Sequence, residues 1–517
     1  MQIVNDAGYV LSFKVSKPSL ENNTADVERV KQGLKEQFGI DNIKIGLRIL
    51  QKIPGVLKES DSGVKAVVFR DLSGWILVDI VKPKKEQVFL GVAADIGTTR
   101  VVIRIIDLES KKVLIEKGFD NPQITIGPDV LSRIHYAKEQ KGLNELASLL
   151  IQGFNSNIAA LCKKIGCKTE DIYLFTGAGN TSMTHLFLCV EPSGIIREPY
   201  IPCVNMPDTL RAEKVGLKLN SKAVVFLFPN IGSYFGGDLI AGILYSGLNK
   251  KEKPCIMVDV GTNAEVVVGC KDWLIACAGA AGPALEGGVS DIGMTAGPGV
   301  IDRVMVDSDT SQLKYTTIEN IPPLGICGSG MIDLAAALFL SSKIDIRGKF
   351  IKTNCQERLF NIDGIDYFVL VNKEDSGTND NICISQVDLN SLTSSKAAMY
   401  TILEVIVANT AGLSFDDLTK FYVAGTFGSF IDPESAISIG MLPDMAREKF
   451  EVLGNSSLGG ATKLLIERAA FDEVFKIRKS ITYIELNVNA EFMNMFSGAK
   501  FYPHTDMARF PSVSLMN

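Results

Sequence analysis

The spacing of apolar residues divides the chain into a short leading region and a longer region of different character. In the leading region, an alternating stretch at 9–15 precedes apolar residues at helical spacing from Val27 to Phe38. Two further apolar runs flank Leu72-Ser73-Gly74, a pattern that is typical of a β-hairpin. Residues 1–87 are therefore predicted to form a small α+β domain.

From residue 88 onward, apolar strands end in clusters of glycine and threonine and are followed by helical patterns, which is typical of an α/β fold. One cluster is Asp95-Ile96-Gly97-Thr98-Thr99, and a second, Asp259-Val260-Gly261-Thr262-Asn263, lies a domain's length further on. Both stand between two apolar strands, so we interpret them as copies of one design. The repeat predicts a duplicated α/β fold with a first lobe at 88–250 and a second lobe at 251–517.

Each of these two clusters is suited to hold a phosphate. Glycine lets successive backbone N–H groups turn toward one point, and threonine hydroxyls add further donors. The aspartate at the end of the strand can hold the hydrated Mg²⁺ that accompanies a polyphosphate. One such hairpin alone is more often a simple tight turn, but two copies predict a pair that holds a polyphosphate from both sides of a cleft. The candidate residues are Asp95 and Asp259 for Mg²⁺ and catalysis, and Gly97, Thr98, Thr99, Gly261, Thr262 and Asn263 for the phosphates.

A third apolar strand, at 421–424, ends in a further glycine cluster. The helix predicted after it has Asp432 as N-cap and Pro433 as its first residue. A strand, a glycine turn and a helix after two phosphate hairpins predict contact with a nucleoside. The candidate residues are Gly425, Thr426 and Gly428.

Two more candidates have two interpretations each. Asp238 follows two glycines, and it is either a third acid near the metal or the N-cap of a helix at 239–247. Gly328-Ser329-Gly330 opens an apolar helix. Its N–H groups either bind phosphate or ribose, or its glycines permit a close helix crossing.

Composition and motif searches exclude several classes of protein. The net charge is −6 and no basic tract is present, so no nucleic-acid partner is expected. No apolar run reaches the length of a bilayer span and no secretory signal pattern is present, so a cytoplasmic protein without a membrane partner is expected. No GxxxxGK[ST] sequence is present, which excludes a Walker-type loop. Gly177-Ala178-Gly179 and Gly297-Pro298-Gly299 lack the third glycine of a dinucleotide fingerprint and are predicted to be loops.

The ten cysteines are dispersed along the sequence, and no two of them are separated by only two residues. The close pairs typical of zinc ribbons and most iron–sulfur sites are therefore missing. The three histidines also lie far apart in the sequence. We expect no iron–sulfur cluster in this chain.

The three glycine clusters resemble motifs of the actin, sugar-kinase and heat-shock-chaperone ATPase superfamily. DIGTT (95–99) resembles its first phosphate motif, DVGTN (259–263) its second, and VAGTFG (423–428) its adenosine motif. The resemblance predicts a duplicated actin/sugar-kinase-like ATPase fold with a small α+β N-terminal domain.

Further motifs between residues 88 and 504 resemble the ATP-dependent reductive activators of corrinoid proteins. Residues 1–88 resemble the middle domain of that family. Its members typically begin with a plant-type ferredoxin domain that binds a [2Fe–2S] cluster, and this sequence begins beyond that position. Either a separate donor supplies the electrons, or the sequence is part of a longer chain. The motifs are Asn121-Pro122-Gln123, DVLSRI (129–134), GNTSMTHLFL (179–188), GGD (236–238), GPALEGG (282–288), GICGSGMID (325–333) and YIELNVNAEF (483–492).

The resemblance implies an ATPase that uses ATP and Mg²⁺ to support the reduction of Co(II) to Co(I) in a corrinoid protein. The electrons would come from a separate donor such as a ferredoxin, and a homodimer is compatible with the sequence. Two alternatives stay open at this stage. One is a non-redox, ATP-gated module that binds a corrinoid protein, and the other is a small-molecule kinase of the same superfamily.

Overall fold

The computed structural model describes residues 8–21, 23–60, 63–84, 87–261, 264–279, 290–307, 312–425, 428–485 and 490–513. Contacts divide the chain into two compact units. One unit comprises the chain up to Ser246 together with Ser456–Lys479, and the other comprises Gly247–Asn455 and the chain from Ser480 onward. The segment 456–479 therefore belongs to the first unit, although residues of the second unit precede and follow it.

The N-terminal domain of the first unit packs two helices on a small sheet with strand order β1-β3-β4-β2. Helix α1 ends where Gly39 adopts a left-handed backbone with φ 67°. Its Leu34 is buried against Ile53 of α2 in one core. The predicted small α+β domain is confirmed, and α2 with β2 are additional elements. The elements are β1 (Val10–Lys14), α1 (Asp26–Phe38), β2 (Ile43–Ile45), α2 (Leu47–Glu59), β3 (Gly63–Asp71) and β4 (Gly74–Val81).

The rest of the first unit and the whole of the second are built from alternating strands and helices. Residues 90–246 form β5 (Leu90–Ile96), β6 (Arg100–Asp107), β7 (Val113–Asp120), α3 (Val130–Tyr136), α4 (Gln140–Ile165), β8 (Ile172–Ala178), α5 (Thr181–Leu188), β9 (Leu210–Arg211), β10 (Val224–Leu227) and α6 (Gly237–Ser246). Residues 255–404 form β11 (Cys255–Val260), β12 (Ala264–Gly269), β13 (Leu274–Gly279), β14 (Val300–Val306), β15 (Leu313–Thr317), β16 (Gly325–Ile326), α7 (Gly328–Leu340), α8 (Lys352–Cys355), β17 (Leu359–Ile362), β18 (Ile365–Val371), β19 (Ile382–Ser385) and α9 (Gln386–Glu404). Residues 421–499 form β20 (Phe421–Ala424), α10 (Pro433–Ser438), β21 (Phe450–Gly454), α11 (Ser456–Ile466), α12 (Ala469–Ser480), β22 (Ile481–Glu485) and α13 (Ala490–Ala499).

The central sheets of the two units have corresponding strand orders. The order is β7-β6-β5-β8-β10-β9 in the first unit and β21-β20-β11-β12-β13-β22 in the second. Strand β5 is antiparallel to β6 and parallel to β8, and β11 is likewise antiparallel to β12 and parallel to β20. Strands β5, β6, β7, β8 and β10 thus correspond to β11, β12, β13, β20 and β21. The predicted α/β fold with an internal duplication is confirmed.

Helices cover the central strands of the first unit, which explains why these strands are apolar on both faces. Helix α11 lies on β5 and β8, where the hydroxyl of Thr176 donates a hydrogen bond of 2.9 Å to the carbonyl of Ala461. It also packs closely on α6. Within the described part of the chain, no helix is both long enough and apolar enough to cross a bilayer.

The contact between α6 and α11 predicts the effect of a single methyl group. A Cβ atom at Gly460 would lie 2.1 Å from the carbonyl oxygen of Ala241, and the backbone of α6 can move aside only at a cost in free energy. We expect Gly460→Ala to lower the free energy of unfolding by about 1–3 kcal/mol through overpacking. Thermal unfolding followed by circular dichroism measures the change.

Gly55 in α2 provides a matched control, because no described atom lies within 4 Å of its Cβ position. We expect Gly55→Ala to leave stability unchanged or to raise it by up to about 1 kcal/mol, since alanine favours the helix. Equal melting temperatures for the two variants would contradict the predicted close contact.

Candidate functional site

The first hairpin of the predicted site joins β5 to β6. Asp95 lies at the end of β5, directly opposite Val102 on β6 and beside Ala178 on β8. Its side chain is half-buried, and its Oδ1 accepts a hydrogen bond of 2.8 Å from the hydroxyl of Ser457 on α11. Helix α11 therefore fixes one oxygen of this carboxylate.

The turn of this hairpin requires glycine and accepts hydrogen bonds from neighbouring loops. A Cβ atom at Gly97 would lie 2.2 Å from the carbonyl oxygen of Arg100. Asn121 makes two hydrogen bonds to this turn. Its side-chain amide donates to the carbonyl of Gly97 at 2.9 Å, and its backbone N–H donates to the carbonyl of Thr99 at 2.8 Å. The hydroxyl of Thr98 accepts a hydrogen bond of 3.0 Å from the side-chain amide of Asn180. Each of the three turn residues is thus held from outside the hairpin.

The structure of the segment Gly177-Ala178-Gly179 differs from the prediction. It was predicted to be a loop, but Gly177 and Ala178 end strand β8, and the chain turns there into α5. Asn180 caps α5 by accepting a hydrogen bond of 2.9 Å from the N–H of Met183. Sequence reasoning missed Gly179 and Asn180. The signal that identifies them is the strand–glycine–helix pattern that they share with residues 421–433.

Asp238 lies beside this same turn. Helix α6 begins at Gly237, two residues earlier than predicted, so Asp238 lies inside its first turn. The Oδ1 of Asp238 accepts a hydrogen bond of 2.9 Å from the N–H of Leu239. The N–H of Gly237 donates one of 3.0 Å to the carbonyl of Gly179. The first unit therefore brings Asp95, Asn180 and Asp238 to one end of its sheet.

The second hairpin joins β11 to β12 in the second unit. Asp259 lies at the end of β11, opposite Glu265 on β12 and beside Ala424 on β20. Residues directly opposite each other in an antiparallel pair point to the same face, so Glu265 places a second carboxyl group on the side of Asp259. Of the predicted phosphate and nucleoside residues, Thr262, Asn263 and Thr426 lie outside the described residues, and Gly261 lies at the start of the turn.

Gly425 occupies a position in the second unit where only glycine fits. It has a left-handed backbone with φ 87°, and a Cβ atom there would lie 2.6 Å from Oδ1 of Asp259. Gly428 packs on β20, because a Cβ atom there would lie 2.8 Å from Cγ1 of Val423. The following helix α10 begins as predicted, with Asp432 as N-cap and Pro433 as first residue. Asp259 and Gly425 therefore lie side by side at one end of the second sheet.

The glycines at the start of α7 have a packing role. A Cβ atom at Gly330 would lie 2.6 Å from the carbonyl oxygen of Ile301 on β14. Gly328 and Ser329 are buried as well, and the hydroxyl of Ser329 lies 3.2 Å from the sulfur of Cys327. These contacts favour the interpretation that glycine permits close packing at this position.

Among the described residues, no group of three or more His, Cys, Asp and Glu side chains is placed to hold a metal ion. Many cysteines lie in apolar surroundings. Burial raises the pKa of Cys162 to about 11, and it raises the pKa of Cys277 as well. These two thiols are therefore protonated and unreactive at neutral pH.

Known protein-family models match this chain along nearly its whole length. The model described as the RACo linker region matches residues 9–87, the RACo middle region matches 90–251, and the C-terminal domain of RACo, the ASKHA domain, matches 253–514. The chain belongs to the RACo family. Within this family the name "middle" thus applies to 90–251, whereas the sequence analysis had given it to the N-terminal domain.

Individual relatives agree with this assignment. The corrinoid activation enzyme RamQ of Eubacterium limosum is 32% identical over 434 residues, which cover 82% of this chain and 72% of that protein. The [Co(II) methylated amine-specific corrinoid protein] reductase of Methanosarcina barkeri is 25% identical over 440 residues, covering 78% of this chain and 76% of the relative. The solved structure of a reductive activator for corrinoid, iron–sulfur protein is 38% identical with a TM-score of 0.84, and the match covers 98% of this chain and 80% of that one.

The tight fit between Gly425 and Asp259 yields a prediction for this RACo-family site. We expect Gly425→Ala to weaken Mg-ATP binding at least about tenfold, because the new methyl group displaces the carboxylate of Asp259, which is the candidate Mg²⁺ ligand. Isothermal titration calorimetry with Mg-ATP measures the change in affinity.

Gly412→Ala is the matched control, since Gly412 also has a left-handed backbone, with φ 66°, but no described atom within 4 Å of its Cβ position. Both variants place alanine in a left-handed backbone, so stability falls in each by about 1–2 kcal/mol from backbone strain, and the close contact at Gly425 adds to the loss there. If both variants bind Mg-ATP equally well, the contact with Asp259 has no role in binding.

Proposed function

We propose that this protein is an ATP-driven activator of a corrinoid protein, which it returns to the Co(I) state with an electron from a separate donor. The observation that carries this proposal is the pair of corresponding hairpins, each with an aspartate at the end of its first strand beside a glycine turn. The family match and the activities named for the relatives support it.

Glycine is required in the turn of the first hairpin and beside Asp259 of the second. A Cβ atom at Gly97 would collide with the carbonyl oxygen of Arg100, and one at Gly425, in the turn after β20, would collide with Oδ1 of Asp259. Carboxylate oxygens are the ligands that Mg²⁺ prefers, and we assign the metal to Asp95 and Asp259. When bound, Mg²⁺ neutralises the negative charge of the phosphates.

The remaining candidate residues have separate roles in this proposal. Asp95 and Asp259 orient the water that attacks the γ-phosphorus, and Asp238, which lies at the same end of the first sheet as Asp95, is the candidate third acid. The phosphates are bound by Gly97, Thr98, Thr99, Gly261, Thr262 and Asn263, and the nucleoside lies against Gly425, Thr426 and Gly428.

Two reactions are coupled in this function. In the first, water attacks the γ-phosphorus, the bond to the β-phosphate oxygen breaks, and ADP and phosphate leave. In the second, one electron passes from the reduced donor, such as a ferredoxin, to Co(II). Because this transfer is unfavourable with common cellular donors, the nucleotide must shift an equilibrium between two states of the protein. That shift is limited by the difference in affinity of the two states for the corrinoid partner.

Replacing either aspartate should impair turnover far more than stability. We expect Asp95→Asn and Asp259→Asn each to lower kcat for ATP hydrolysis by about 100-fold or more, because the amide no longer stabilises the transition state through the metal. Release of phosphate measures turnover, and thermal unfolding measures stability. Asp41→Asn, on an exposed aspartate of the N-terminal domain, is the control and should retain full activity. Full activity in either hairpin variant would mean that the metal is held elsewhere.

The complete function is tested by mixing the protein with its corrinoid partner, a chemical reductant or ferredoxin, and Mg-ATP. We expect the Co(I) absorption band to appear faster with the protein and ATP than without either, and removal of Mg²⁺ by a chelator should abolish the acceleration. If the protein binds the corrinoid partner in an ATP-dependent way but does not accelerate formation of Co(I), the proposed reductive role is wrong and a non-redox module is favoured. A phosphorylated small molecule among the products would instead favour a kinase.

A further inference from the structure

The motif Asn121-Pro122-Gln123 and the buried Arg133 have no role in the chemistry assigned so far. They follow β7, in the loop and short helix that lead to α4. Asn121 is 1% exposed, and Gln123 and Arg133 are completely buried. Polar side chains are buried at a cost unless hydrogen bonds compensate, so their contacts indicate what they do.

Asn121 holds the first hairpin at two points. Its side-chain amide donates to the carbonyl of Gly97 at 2.9 Å, and its backbone N–H donates to the carbonyl of Thr99 at 2.8 Å. The orientation of the side chain is set by Gln123, whose backbone N–H donates to Oδ1 of Asn121 at 3.0 Å. With the oxygen engaged there, the NH₂ group faces Gly97.

This contact also fixes the direction of a backbone N–H group. In a planar trans peptide the C=O of one residue and the N–H of the next point in opposite directions. Because the carbonyl of Gly97 points to Asn121, the N–H of Thr98 points away from it. The hydroxyl of Thr98 is held independently by Asn180 at 3.0 Å. A preoriented N–H group is what binding of a phosphate oxygen requires.

Gln123 and Arg133 hold Asn121 in place through a chain of hydrogen bonds. The Nη1 of Arg133 donates to Oε1 of Gln123 at 3.1 Å, and its Nε donates to the carbonyl of Gly127 at 2.8 Å. The amide of Gln123 donates to the carbonyl of Leu146 on α4 at 3.0 Å. Burial lowers the pKa of Arg133 to about 10, so the guanidinium is still charged at neutral pH. The hydrogen-bond partners of this cation are the carbonyl of Gly127, the side-chain oxygen of Gln123 and the sulfur of Met183. Arg133 thus holds the side chain of Gln123 in one orientation.

We propose that Asn121 is a positioning residue of the phosphate hairpin, and that Gln123 and Arg133 hold Asn121 in the orientation that presents the N–H of Thr98 to ATP. The proposal rests on the function proposed above, in which residues 97–99 bind the phosphates. It assigns a role to a motif that lies outside the hairpin in sequence.

Two variants of Asn121 test this role in the full-length protein. Asn121→Asp keeps the shape and the acceptor for Gln123, but a carboxylate cannot donate to the carbonyl of Gly97. Asn121→Ala removes the side-chain contacts altogether. We expect both variants to raise KM for ATP about tenfold or more, because a small misplacement of a binding group has effects of this size. KM and kcat are measured from phosphate release at saturating Mg²⁺, and stability is measured by thermal unfolding.

Asn155→Ala is the matched control. Asn155 is half-buried in the same unit and also makes two backbone hydrogen bonds, to the carbonyl of Gly216 at 3.0 Å and from the N–H of Lys218 at 2.8 Å. A merely structural role for Asn121 would lower the melting temperature as in the control and leave KM unchanged. The proposal requires a rise in KM that the control does not show.

A double variant tests the support by Gln123. If Gln123 acts through Asn121, Gln123→Leu raises KM less than Asn121→Ala does, and the double variant is no worse than Asn121→Ala alone. Additive effects would overturn the supporting role of Gln123. A KM within twofold of the parent for both Asn121 variants, with the parent active, would overturn the proposal as a whole. A parent protein that neither binds nor hydrolyses ATP would overturn the proposed function, and this proposal with it.

Discussion

The parallel pairing of β5 with β8, and of β11 with β20, determines where the candidate site residues of both units lie. In each pair the aspartate at the end of the first strand is in register with an alanine of the second, and a glycine follows that alanine directly. The glycine is required because the aspartate or its neighbour fills the space where a Cβ atom would lie. A shift of one residue in either register would turn the carboxylate to the opposite face of the sheet.

The two hairpins share this geometry and differ in how their aspartates are held. Asp95 lies opposite an apolar valine and is held by the hydroxyl of Ser457. Asp259 lies opposite Glu265, which adds a second carboxyl group on the same face. The two hairpins thus have similar backbones, but each aspartate has different neighbours.

Much of this arrangement could be predicted from local sequence patterns. The strands that end in Asp95 and Asp259 are identified by continuous apolar runs, and the N-cap at Asp432 by its spacing to Pro433. Helix α2 was missed because Pro54 and Gly55 lie inside it and mask its periodicity. The place of Gly179 at the candidate site was missed because the glycines were compared with a dinucleotide fingerprint and not with the strand–glycine–helix unit of the second half.

Contacts between distant parts of the chain could not be predicted in this way. The hydrogen bond between Ser457 and Asp95 joins residues from opposite ends of the sequence, and neither residue carries a local signal for the other. The hydrogen bonds from Asn121 and Asn180 to the first hairpin likewise join residues that are far apart in the sequence. A single sequence specifies such contacts only through the complete fold.

The placement of residues 456–479 in the first unit has a consequence for the order of folding. Helix α11 covers β5 and β8, yet it is synthesised only after almost the whole of the second unit. Until then, apolar faces of the first sheet lack one of their covering helices, and domains otherwise tend to fold as they emerge from the ribosome. The first unit therefore reaches its complete fold only after α11 has been synthesised, late in translation. A fragment that ends before Ser456 would contain the Asp95 hairpin but would have neither its covering helix nor the hydroxyl that holds its carboxylate.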